Sequence, residues 1–253
     1  MELIVLGSAP AYTDRSGSAA SSYLLRIGSA ALVLDLGQGS LANLAATVEP
    51  STLTAILVSH LHPDHFVDLV PLRHYLKWEF TPARRLGVLG PAGRAGRVDS
   101  LNGEPGFAAE ALDMEPLAEG IRRIGPFDVA VRRIPHTEES YAFRVAPGGS
   151  NGEAPAPGLV YSGDCSRADD LLPLIRRGDT LLAEATFGAG PVAPGAQHIT
   201  SGDAARVAAS GGAARMLLTH ILSGHSRQDT LDAACAAFSG PVRLVTEGDR
   251  FEI

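Results

Sequence analysis

The amino-acid sequence predicts a layered α/β fold, with two stacked β-sheets and helices on their outer faces. Short apolar runs alternate with helix-like segments along the whole chain. The early strand candidates mostly follow one another directly, whereas strands and helices alternate in the C-terminal half. The sequence shows neither an internal repeat nor a linker that would divide it. We therefore expect one domain over residues 1–253, arranged in layers around its sheets.

The predicted strands are rich in Val, Ile, Leu and aromatic residues and are bounded by Gly, Pro, Asp or Ser. They are Glu2–Leu6, Ser22–Ile27, Ala31–Asp35, Ala55–Ser59, Leu86–Leu89, Phe127–Pro135, Tyr141–Val145, Leu159–Ser162, Thr180–Ala185, Arg215–Thr219 and Pro241–Glu247. The predicted helices are Ser40–Thr47, Asp64–Lys77, Arg94–Asn102, Ala168–Arg177, Ser201–Ser210 and Gln228–Phe238. Thr200 is the expected N-cap of its helix, and Gly211 and Gly212 end that helix. The Gly- and Pro-rich stretch Pro147–Gly158 reads as a long surface loop.

Composition and charge indicate an ordinary globular protein, with 45% hydrophobic and 19% charged residues. The formal net charge of −7 argues against a protein that binds nucleic acid through a general positive field. Two cysteines, Cys165 and Cys235, cannot form a disulfide framework and indicate a reducing compartment. The first seven residues read as a strand, without a basic leader or a long apolar stretch. We therefore expect a cytoplasmic protein without a membrane span.

The segment SHLHPDH, which follows the apolar run AILV, places four metal-ligand side chains within six residues. His60 and His62 point to the same side of an extended chain, because side chains repeat every two residues. Pro63 suits the first helical position, so that Asp64 and His65 lie in the first turn, near both imidazoles. Four such groups at a strand end and a helix start could serve two adjacent metals. The alternative is a histidine-rich loop that caps a helix.

Three further ligand-type residues follow predicted strands. His136 ends the run DVAVRRIP, Asp164 follows LVYSG, and His220 follows RMLLT. Taken alone, each would more often be a residue of a loop or of the core. Three such residues at equivalent strand ends, together with the histidine cluster, indicate a metal site at one edge of a sheet.

These motifs resemble the metallo-β-lactamase superfamily, and the resemblance covers essentially the whole chain. The matching segments, in the family's order, are VLGSAP, LVLDLGQG, SHLHPDH, PH at 135–136, YSGDC and LLTHI. The resemblance implies a four-layer αββα sandwich with two divalent metals at one edge. It implies one metal held by His60, His62 and His136, a second held by Asp64, His65 and His220, and Asp164 bridging both. Imidazole and carboxylate ligands suit Zn²⁺, with iron or manganese as alternatives.

Two features narrow the resemblance, first to the phosphodiesterase branch of this superfamily, which includes tRNase Z and cyclic-nucleotide phosphodiesterases, and then to its small cyclic-nucleotide members. The first feature is EAT at 184–186 followed by HITSG at 198–202. In that branch the histidine matching His198 contacts the scissile phosphate, and the acid matching Glu184 orients it. The alternative is that Glu184 merely ends a strand and that His198 precedes a helix cap. The second feature is the short interval between His136 and Asp164, which leaves no room for the arm that grips tRNA in tRNase Z. Pro63 and Cys165 depart from the branch's usual glycine and threonine without removing a ligand.

The resemblance implies a binuclear hydrolase that cleaves a phosphodiester with a metal-bridging hydroxide. The expected substrate is a small cyclic-nucleotide-type diester. His198, held by Glu184, would stabilise the oxyanion or protonate the leaving oxygen, and Asp64 could orient the hydroxide besides binding metal. Asp35, near the site, is expected to be structural or to act indirectly, and Cys165 to be a packed thiol.

Three alternatives remain open from the sequence. The first is a tRNA 3′-processing endoribonuclease, which would make RNA the partner. The second is a hydrolase of a lactone or thioester on the same fold. The third comes from a different class and is a metal-binding redox or regulatory protein. Since relatives of this superfamily often dimerise, we expect a homodimer.

Overall fold

The computed structural model describes residues 1–149 and 156–253. Its strands are β1 (Glu2–Gly7), β2 (Ser22–Ile27), β3 (Ala30–Leu34), β4 (Ala55–Leu57), β5 (Leu86–Gly90), β6 (Leu112–Pro116), β7 (Gly120–Ile124), β8 (Phe127–Ile134), β9 (Ser140–Pro147), β10 (Leu159–Tyr161), β11 (Thr180–Glu184), β12 (Arg215–Thr219), β13 (Val242–Leu244) and β14 (Arg250–Glu252). Its α-helices are α1 (Ser40–Thr47), α2 (Pro63–Phe66), α3 (Leu69–Trp78), α4 (Arg94–Asn102), α5 (Ser201–Gly211) and α6 (Arg227–Ala237). Within these ranges, none of the helices combines the length and the apolar character needed to cross a membrane.

The strands form two seven-stranded mixed sheets. The first sheet has the order β14-β1-β2-β3-β4-β5-β6, and the second has the order β13-β12-β11-β10-β9-β8-β7. In the first sheet β3 to β6 are parallel neighbours, and in the second sheet β10 to β13 are. The remaining neighbours pair antiparallel, through hairpins or by the return of β14 to β1.

Alternating side chains of the strands build a central core and two outer cores. In β1, Leu3 and Val5 belong to the core between the sheets, whereas Ile4 and Leu6 pack beneath the helices of the first sheet. A third cluster joins the outer face of the second sheet to α5 and α6. Because each sheet buries both faces, the layer order is helices, sheet, sheet, helices. The predicted αββα sandwich is confirmed.

The predicted single helix over Asp64–Lys77 is wrong, because the structure divides this segment into α2 and α3. At the break, the backbone N–H of Asp68 bonds the carbonyl of Leu36, and its carboxylate accepts the N–H of Leu41 at 2.8 Å. Pro71 lies in the first turn of α3, where a missing N–H costs little. In one continuous helix, its ring would clash with the carbonyl four residues earlier.

The predicted helix over Ala168–Arg177 is also wrong. The structure contains only a short 3₁₀ helix over Ala168–Leu171, followed by turns. Pro173 explains the difference, since it can neither donate to residue 169 nor fit against that residue's carbonyl within an α-helix.

Three strands that the sequence did not reveal lie at or near sheet edges. β6 reads LDMEP and β7 reads GIRRI, and most of their side chains are exposed or half-buried. β14 has only three residues, of which two are exposed. Edge strands need no continuous apolar pattern, because one side of such a strand meets solvent.

The topology brings several strand ends to one place. In the second sheet the chain leaves β8, β10, β11 and β12 at the same edge, since β8 runs in the same direction as the three parallel strands. In the first sheet β3 and β4 are parallel and also end together. Residues that directly follow these strands therefore meet where the two sheets face each other.

Candidate metal centre

Seven side chains converge at the shared edge of the sandwich and form two groups. Within each group the potential ligand atoms lie within 4.8 Å of one another. The first group is His60, His62, His136 and Asp164, and the second is Asp64, His65, Asp164 and His220. The two groups have the membership that the family resemblance implies, with the carboxylate of Asp164 common to both.

The segment after β4 supplies four of the seven groups through the local geometry of its chain. His62 has an extended conformation, with φ −75° and ψ 141°, and Pro63 begins α2 directly after it. Asp64 and His65 then lie in the single turn of α2 and are buried. This strand end and helix start follow the arrangement that the spacing of SHLHPDH predicts.

His220 reaches the centre through an unusual backbone conformation. Its φ of 57° lies in the left-handed region, which is uncommon for residues other than glycine, although asparagine, aspartate and histidine adopt it more often than the rest. The N–H of His220 donates to the carbonyl of Ser8 at 3.0 Å, so the turn after β12 is tied to the segment after β1. Such strain is often found at functional sites.

Both carboxylates lie beside imidazole nitrogens. Nε2 of His220 is 3.2 Å from Oδ2 of Asp64 and 3.5 Å from Oδ2 of Asp164. The same oxygen of Asp164 is 3.4 Å from Nε2 of His65 and 3.7 Å from Nε2 of His60. The polar atoms therefore face a common centre.

Two of these nitrogens show that the site suits metal ions. Nε2 of His60 and Nε2 of His65 are buried, and neither has a hydrogen-bond partner. A buried polar atom without a partner costs about 1–3 kcal/mol. A divalent cation bound by the imidazoles and carboxylates would satisfy both nitrogens, and such mixed nitrogen and oxygen ligands suit Zn²⁺.

The five histidines of the two groups each make a hydrogen bond through one ring nitrogen, which is Nε2 in His62 and Nδ1 in the other four. These bonds, of 2.8 to 3.1 Å, join His60 to Ser59, His62 to Thr137, His65 to Asp35, His136 to the carbonyl of Gln197, and His220 to Thr186. Partners of this kind fix the tautomer and the ring orientation of a metal-binding histidine. The rings are therefore held in place by the protein itself.

Asp35 is the most highly connected of these partners. Its fully buried carboxylate accepts the backbone N–H of Ser59 at 2.6 Å, the hydroxyl of Ser59 at 2.7 Å and the hydroxyl of Tyr161 at 2.6 Å. Nδ1 of His65 lies 2.8 Å from the same carboxylate. Asp35 thus joins the two sheets and orients one potential ligand.

The electrostatics of the centre favour ionised carboxylates. Burial raises the pKa of Asp64, but a hydrogen bond with His220 and the charge of His65 lower it to about 2. Burial likewise opposes the charge of Asp164, yet His220 and His65 hold its pKa well below its ordinary value. Burial and the neighbouring His65 lower the pKa of His60, which keeps that imidazole neutral, as metal binding requires.

Glu184 and His198 form a second polar unit next to the ligands. Nδ1 of His198 lies 3.1 Å from both carboxylate oxygens of Glu184, which is almost completely buried. Burial lowers the pKa of His198, but the hydrogen bond and the charge of Glu184 raise it above its ordinary value. The carboxylate thus stabilises a protonated imidazole whose Nε2 remains for another partner.

Thr186 connects this unit to the metal ligands, and sequence reasoning assigned it no role. Its hydroxyl lies 2.5 Å from Glu184, 2.8 Å from Nδ1 of His220 and 3.2 Å from Nδ1 of His198. The sequence feature that could have identified Thr186 is its position two residues after Glu184 at the end of β11. In extended chain, this spacing places the two side chains on the same side.

A cavity of about 290 Å³ lies against this assembly, and we call it the ligand chamber. Its wall includes Asp64, Asp164, His198 and His220 together with the apolar side chains of Phe187 and Leu222. The ring of His198 is 5.7 Å from that of His220 and nearly parallel to it. A small anion in the chamber would therefore contact His198 as well as the potential metal ligands Asp64, Asp164 and His220.

Other histidines and the cysteine next to Asp164 lie outside the two groups. His74 is exposed on α3, and His225 lies in the loop after β12 with its ring 6.3 Å from that of Phe187. Cys165 is fully buried, and burial raises the pKa of its thiol, as a packed cysteine requires. Of the predicted surface loop Pro147–Gly158, residues 150–155 lie outside the described residues.

Comparisons with known proteins agree with this architecture. The family described as "Beta-lactamase superfamily domain" matches residues 33–221. The uncharacterized protein ML1173 of Mycobacterium leprae is 35% identical over 93% of this chain and 83% of its own length. The ribonuclease Z of Salinispora arenicola is 29% identical over 87% of this chain and 85% of its own length.

The probable metallo-hydrolase YhfI of Bacillus subtilis is 26% identical over 98% of both chains. Its crystal structure, which has the metallo-β-lactamase fold, superposes with a TM-score of 0.85 over 99% of both chains. Because the family match spans residues 33–221, which include all seven converging side chains, this chain belongs to the β-lactamase superfamily and has the metallo-β-lactamase fold.

Proposed function

We propose that this chain is a two-metal phosphodiesterase that hydrolyses a small cyclic nucleotide. Membership of a superfamily of metallo-hydrolases supports hydrolysis. The pair of Glu184 and His198 beside the ligand groups carries the assignment to phosphodiesters. It places the imidazole of His198 at the wall of the ligand chamber, with its Nδ1 3.8 Å from Oδ2 of Asp164.

In this proposal, His60, His62 and His136 would hold one cation, Asp64, His65 and His220 would hold the other, and the carboxylate of Asp164 would be shared. When bound, two divalent cations make water more acidic and neutralise charge on phosphoryl oxygens. The residues of the chain supply the remaining steps. Water loses one proton to solvent as its oxygen bonds to phosphorus, the bond from phosphorus to the leaving oxygen breaks, and His198 donates its Nε2 proton to that oxygen. The neutral imidazole then takes up a proton from solvent, which restores the acid.

The distribution of charge favours a phosphodiester over a lactone or a thioester. A phosphodiester is already an anion, and its transition state for hydrolysis carries more negative charge on oxygen. Residues that would hold the cations line one side of the ligand chamber, and the imidazole held by Glu184 lies beside them. Positive groups placed where charge develops give the largest stabilisation to the most negative transition state.

Three observations support a small substrate. The ligand chamber has a volume of about 290 Å³, which is the scale of a mononucleotide-sized ligand. Between His136 and Asp164, the described residues form β9 and β10 without an additional arm. The net charge of −7 disfavours a long polyanion such as RNA.

The second candidate function is processing of the 3′ end of tRNA precursors. The similarity to the ribonuclease Z of Salinispora arenicola favours it. Both candidates use the same chemistry, and they differ in whether the diester belongs to a small molecule or to a folded RNA.

An assay of purified protein with zinc or manganese tests the proposal. The substrates are cyclic AMP, a tRNA precursor, a lactone and a thioester, and protein stripped of metal is the control. We expect cyclic AMP to be hydrolysed to a nucleoside monophosphate only when metal is added back. Turnover of the precursor alone would establish the RNA-processing function, and turnover of only the lactone or thioester would refute phosphodiester specificity.

A further inference from the structure

The hydroxyl of Thr186 lies between a carboxylate and a potential metal ligand. Its oxygen is 2.5 Å from Oε2 of Glu184 and 2.8 Å from Nδ1 of His220. All three side chains are almost completely buried. Water therefore does not compete for these hydrogen bonds, and the position of each proton can be worked out from the donors and acceptors present.

The single proton of this hydroxyl belongs to the contact with Glu184. An ionised carboxylate only accepts hydrogen bonds, so Thr186 must be the donor in that contact. The hydroxyl oxygen then has lone pairs but no proton left for His220. Nδ1 of His220 consequently carries a proton and donates it to Thr186, which leaves Nε2 of the same ring without one.

The opposite tautomer of His220 also has a partner. Nε2 of His220 lies 3.2 Å from Oδ2 of Asp64 and 3.5 Å from Oδ2 of Asp164. A proton on Nε2 would bond the carboxylate of Asp64, and a cation could bind that nitrogen only after the proton had left. Which ring nitrogen carries the proton is set by the hydrogen bond that the other nitrogen makes. The acceptor at Nδ1 therefore decides whether Nε2 is ready for a cation.

The carboxylate of Glu184 thus has two separate uses. It holds Nδ1 of His198 directly, at 3.1 Å from each of its oxygens. Through the hydroxyl of Thr186 it also acts on His220, which belongs to the second ligand group. The proposed function uses only the first of these contacts.

We propose that Thr186 is a positioning residue for the second ligand group, because it fixes the tautomer of His220 whose Nε2 is free for a cation. This inference rests on the metal sites of the proposed function but not on its substrate. The first ligand group does not contain His220, so it should be independent of the hydroxyl.

Thr186→Val tests the proposal, since valine has nearly the shape of threonine but no hydroxyl. The substitution leaves Nδ1 of His220 without an acceptor, so the proton should move to Nε2, where Asp64 accepts it. The carbonyl of residue 186 still accepts the N–H of Leu222, at 3.2 Å in the wild type, which keeps the backbone in place. Thr186→Ser restores a hydroxyl and should restore the wild-type tautomer.

Thr180→Val is the matched control. Thr180 begins β11, the strand that ends at Glu184, and it is also buried. Its hydroxyl accepts a hydrogen bond from Arg215 at 3.0 Å. Both valine variants therefore replace a buried hydroxyl with a methyl group and remove an acceptor, but only residue 186 lies beside a potential metal ligand.

Competition with a chromogenic chelator measures the stepwise zinc affinities of each purified protein. We expect Thr186→Val to bind one of two zinc ions about 10–100-fold more weakly, which is the usual effect of losing a hydrogen-bond partner of a ligand. The other zinc ion should stay within about threefold of its wild-type affinity. Thr186→Ser, Thr180→Val and His198→Ala should keep both affinities within about threefold, because each retains the hydroxyl at residue 186.

Nitrogen NMR of the metal-free protein locates the proton directly. Long-range ¹H–¹⁵N spectra at about pH 8.5, well above the ordinary pKa of an imidazole, distinguish the two tautomers, and a spectrum of His220→Gln identifies the signals of His220. We expect the proton on Nδ1 in wild type and Thr186→Ser, and on Nε2 in Thr186→Val. The same tautomer in wild type and Thr186→Val, or equal zinc affinities in these two proteins, would overturn the proposal.

Hydrolysis of cyclic AMP by the zinc-loaded wild type separates this inference from the proposed function. Hydrolysis together with unchanged zinc affinities in Thr186→Val refutes the role of Thr186 and leaves the phosphodiesterase function intact. Weaker binding of one zinc ion in Thr186→Val, without hydrolysis by the wild type, supports the role of Thr186 and refutes the phosphodiesterase function. A wild type that binds no zinc would overturn both.

Discussion

Replacing Asp35 with asparagine should weaken metal binding and the fold together. The φ of Asp35 is 58°, a conformation that asparagine tolerates as well as aspartate does. The substitution therefore removes the negative charge and half of the acceptors without straining the backbone. It isolates what the carboxylate contributes.

The magnitude follows from the four hydrogen bonds at this carboxylate. One oxygen serves the hydroxyls of Ser59 and Tyr161 and Nδ1 of His65, and the other serves the N–H of Ser59. Asparagine can keep the first three bonds by turning its oxygen toward them, but its NH₂ then faces the N–H of Ser59. One buried donor without an acceptor costs about 1–3 kcal/mol, and the three remaining bonds lose their charge assistance. We expect a loss of roughly 3–5 kcal/mol in the free energy of unfolding.

Because Asp35 orients His65, zinc affinity should also fall by about 10–100-fold. Urea unfolding of metal-free protein measures the first effect, and competition with a chromogenic chelator measures the second. Asp179→Asn is the matched control, since Asp179 is also fully buried and accepts four hydrogen bonds, two of them from Arg144. It should lower stability without changing zinc affinity. Equal zinc affinity in wild type and Asp35→Asn would refute this role of Asp35. An equal loss of zinc affinity in Asp35→Asn and Asp179→Asn would refute it as well.

Three other substitutions probe the catalytic unit, a pH-dependent contact and a helix cap. His198→Ala should reduce turnover of cyclic AMP at least about 100-fold, but that of bis(p-nitrophenyl) phosphate less than about tenfold, because a phenolate leaves without a proton. Burial raises the pKa of Glu247, but hydrogen bonds including those from Ser18 and Ala19 lower it below 4.5. Its stabilisation is therefore present above that pH and lost as pH falls through the lowered pKa, so the stability difference between wild type and Glu247→Gln should shrink in acid unfolding curves. Thr200→Ala removes the capping box of α5 and should cost about 1 kcal/mol in urea unfolding.

Each of these outcomes has a matched comparison. His74→Ala changes an exposed histidine of α3 and should leave both turnover rates intact. Similar losses on both diesters would show that His198 does not act as an acid. A stability difference between wild type and Glu247→Gln that is constant down to pH 3 would contradict the assigned role of its charge. Thr200→Ser should retain the cap, so unfolding like that of Thr200→Ala would argue against the hydroxyl contact.

The fold and the converging side chains were predictable where the information is local. The spacing in SHLHPDH fixes a strand end and a helix start within a few residues, and each apolar run before His136, Asp164 and His220 marks a strand that ends at a sheet edge. The pattern of β1, with alternate residues in two different cores, likewise follows from the two-residue repeat of a strand.

The remaining features depend on contacts between distant parts of the chain. Tyr161 meets Asp35 only because two sheets stack in one particular register, which no local pattern encodes. Thr186 lies beside Glu184 in the sequence, but it gains its role only because His198 and His220, from a later loop and a later strand end, meet its hydroxyl. The break between α2 and α3 was readable in part from Pro71, but the bond that stabilises it runs from Leu41 to Asp68.

The seven converging groups come from both halves of the sandwich, four from the segment after β4 and three from the ends of second-sheet strands. A metal ion bound by either group would therefore link the two halves, because each group contains side chains from both halves and binds fully only while they stay aligned. Ions that bind the folded chain alone add to its stability in proportion to the logarithm of their concentration. Metal supply would thus govern how long the protein survives proteolysis, as well as how fast it works.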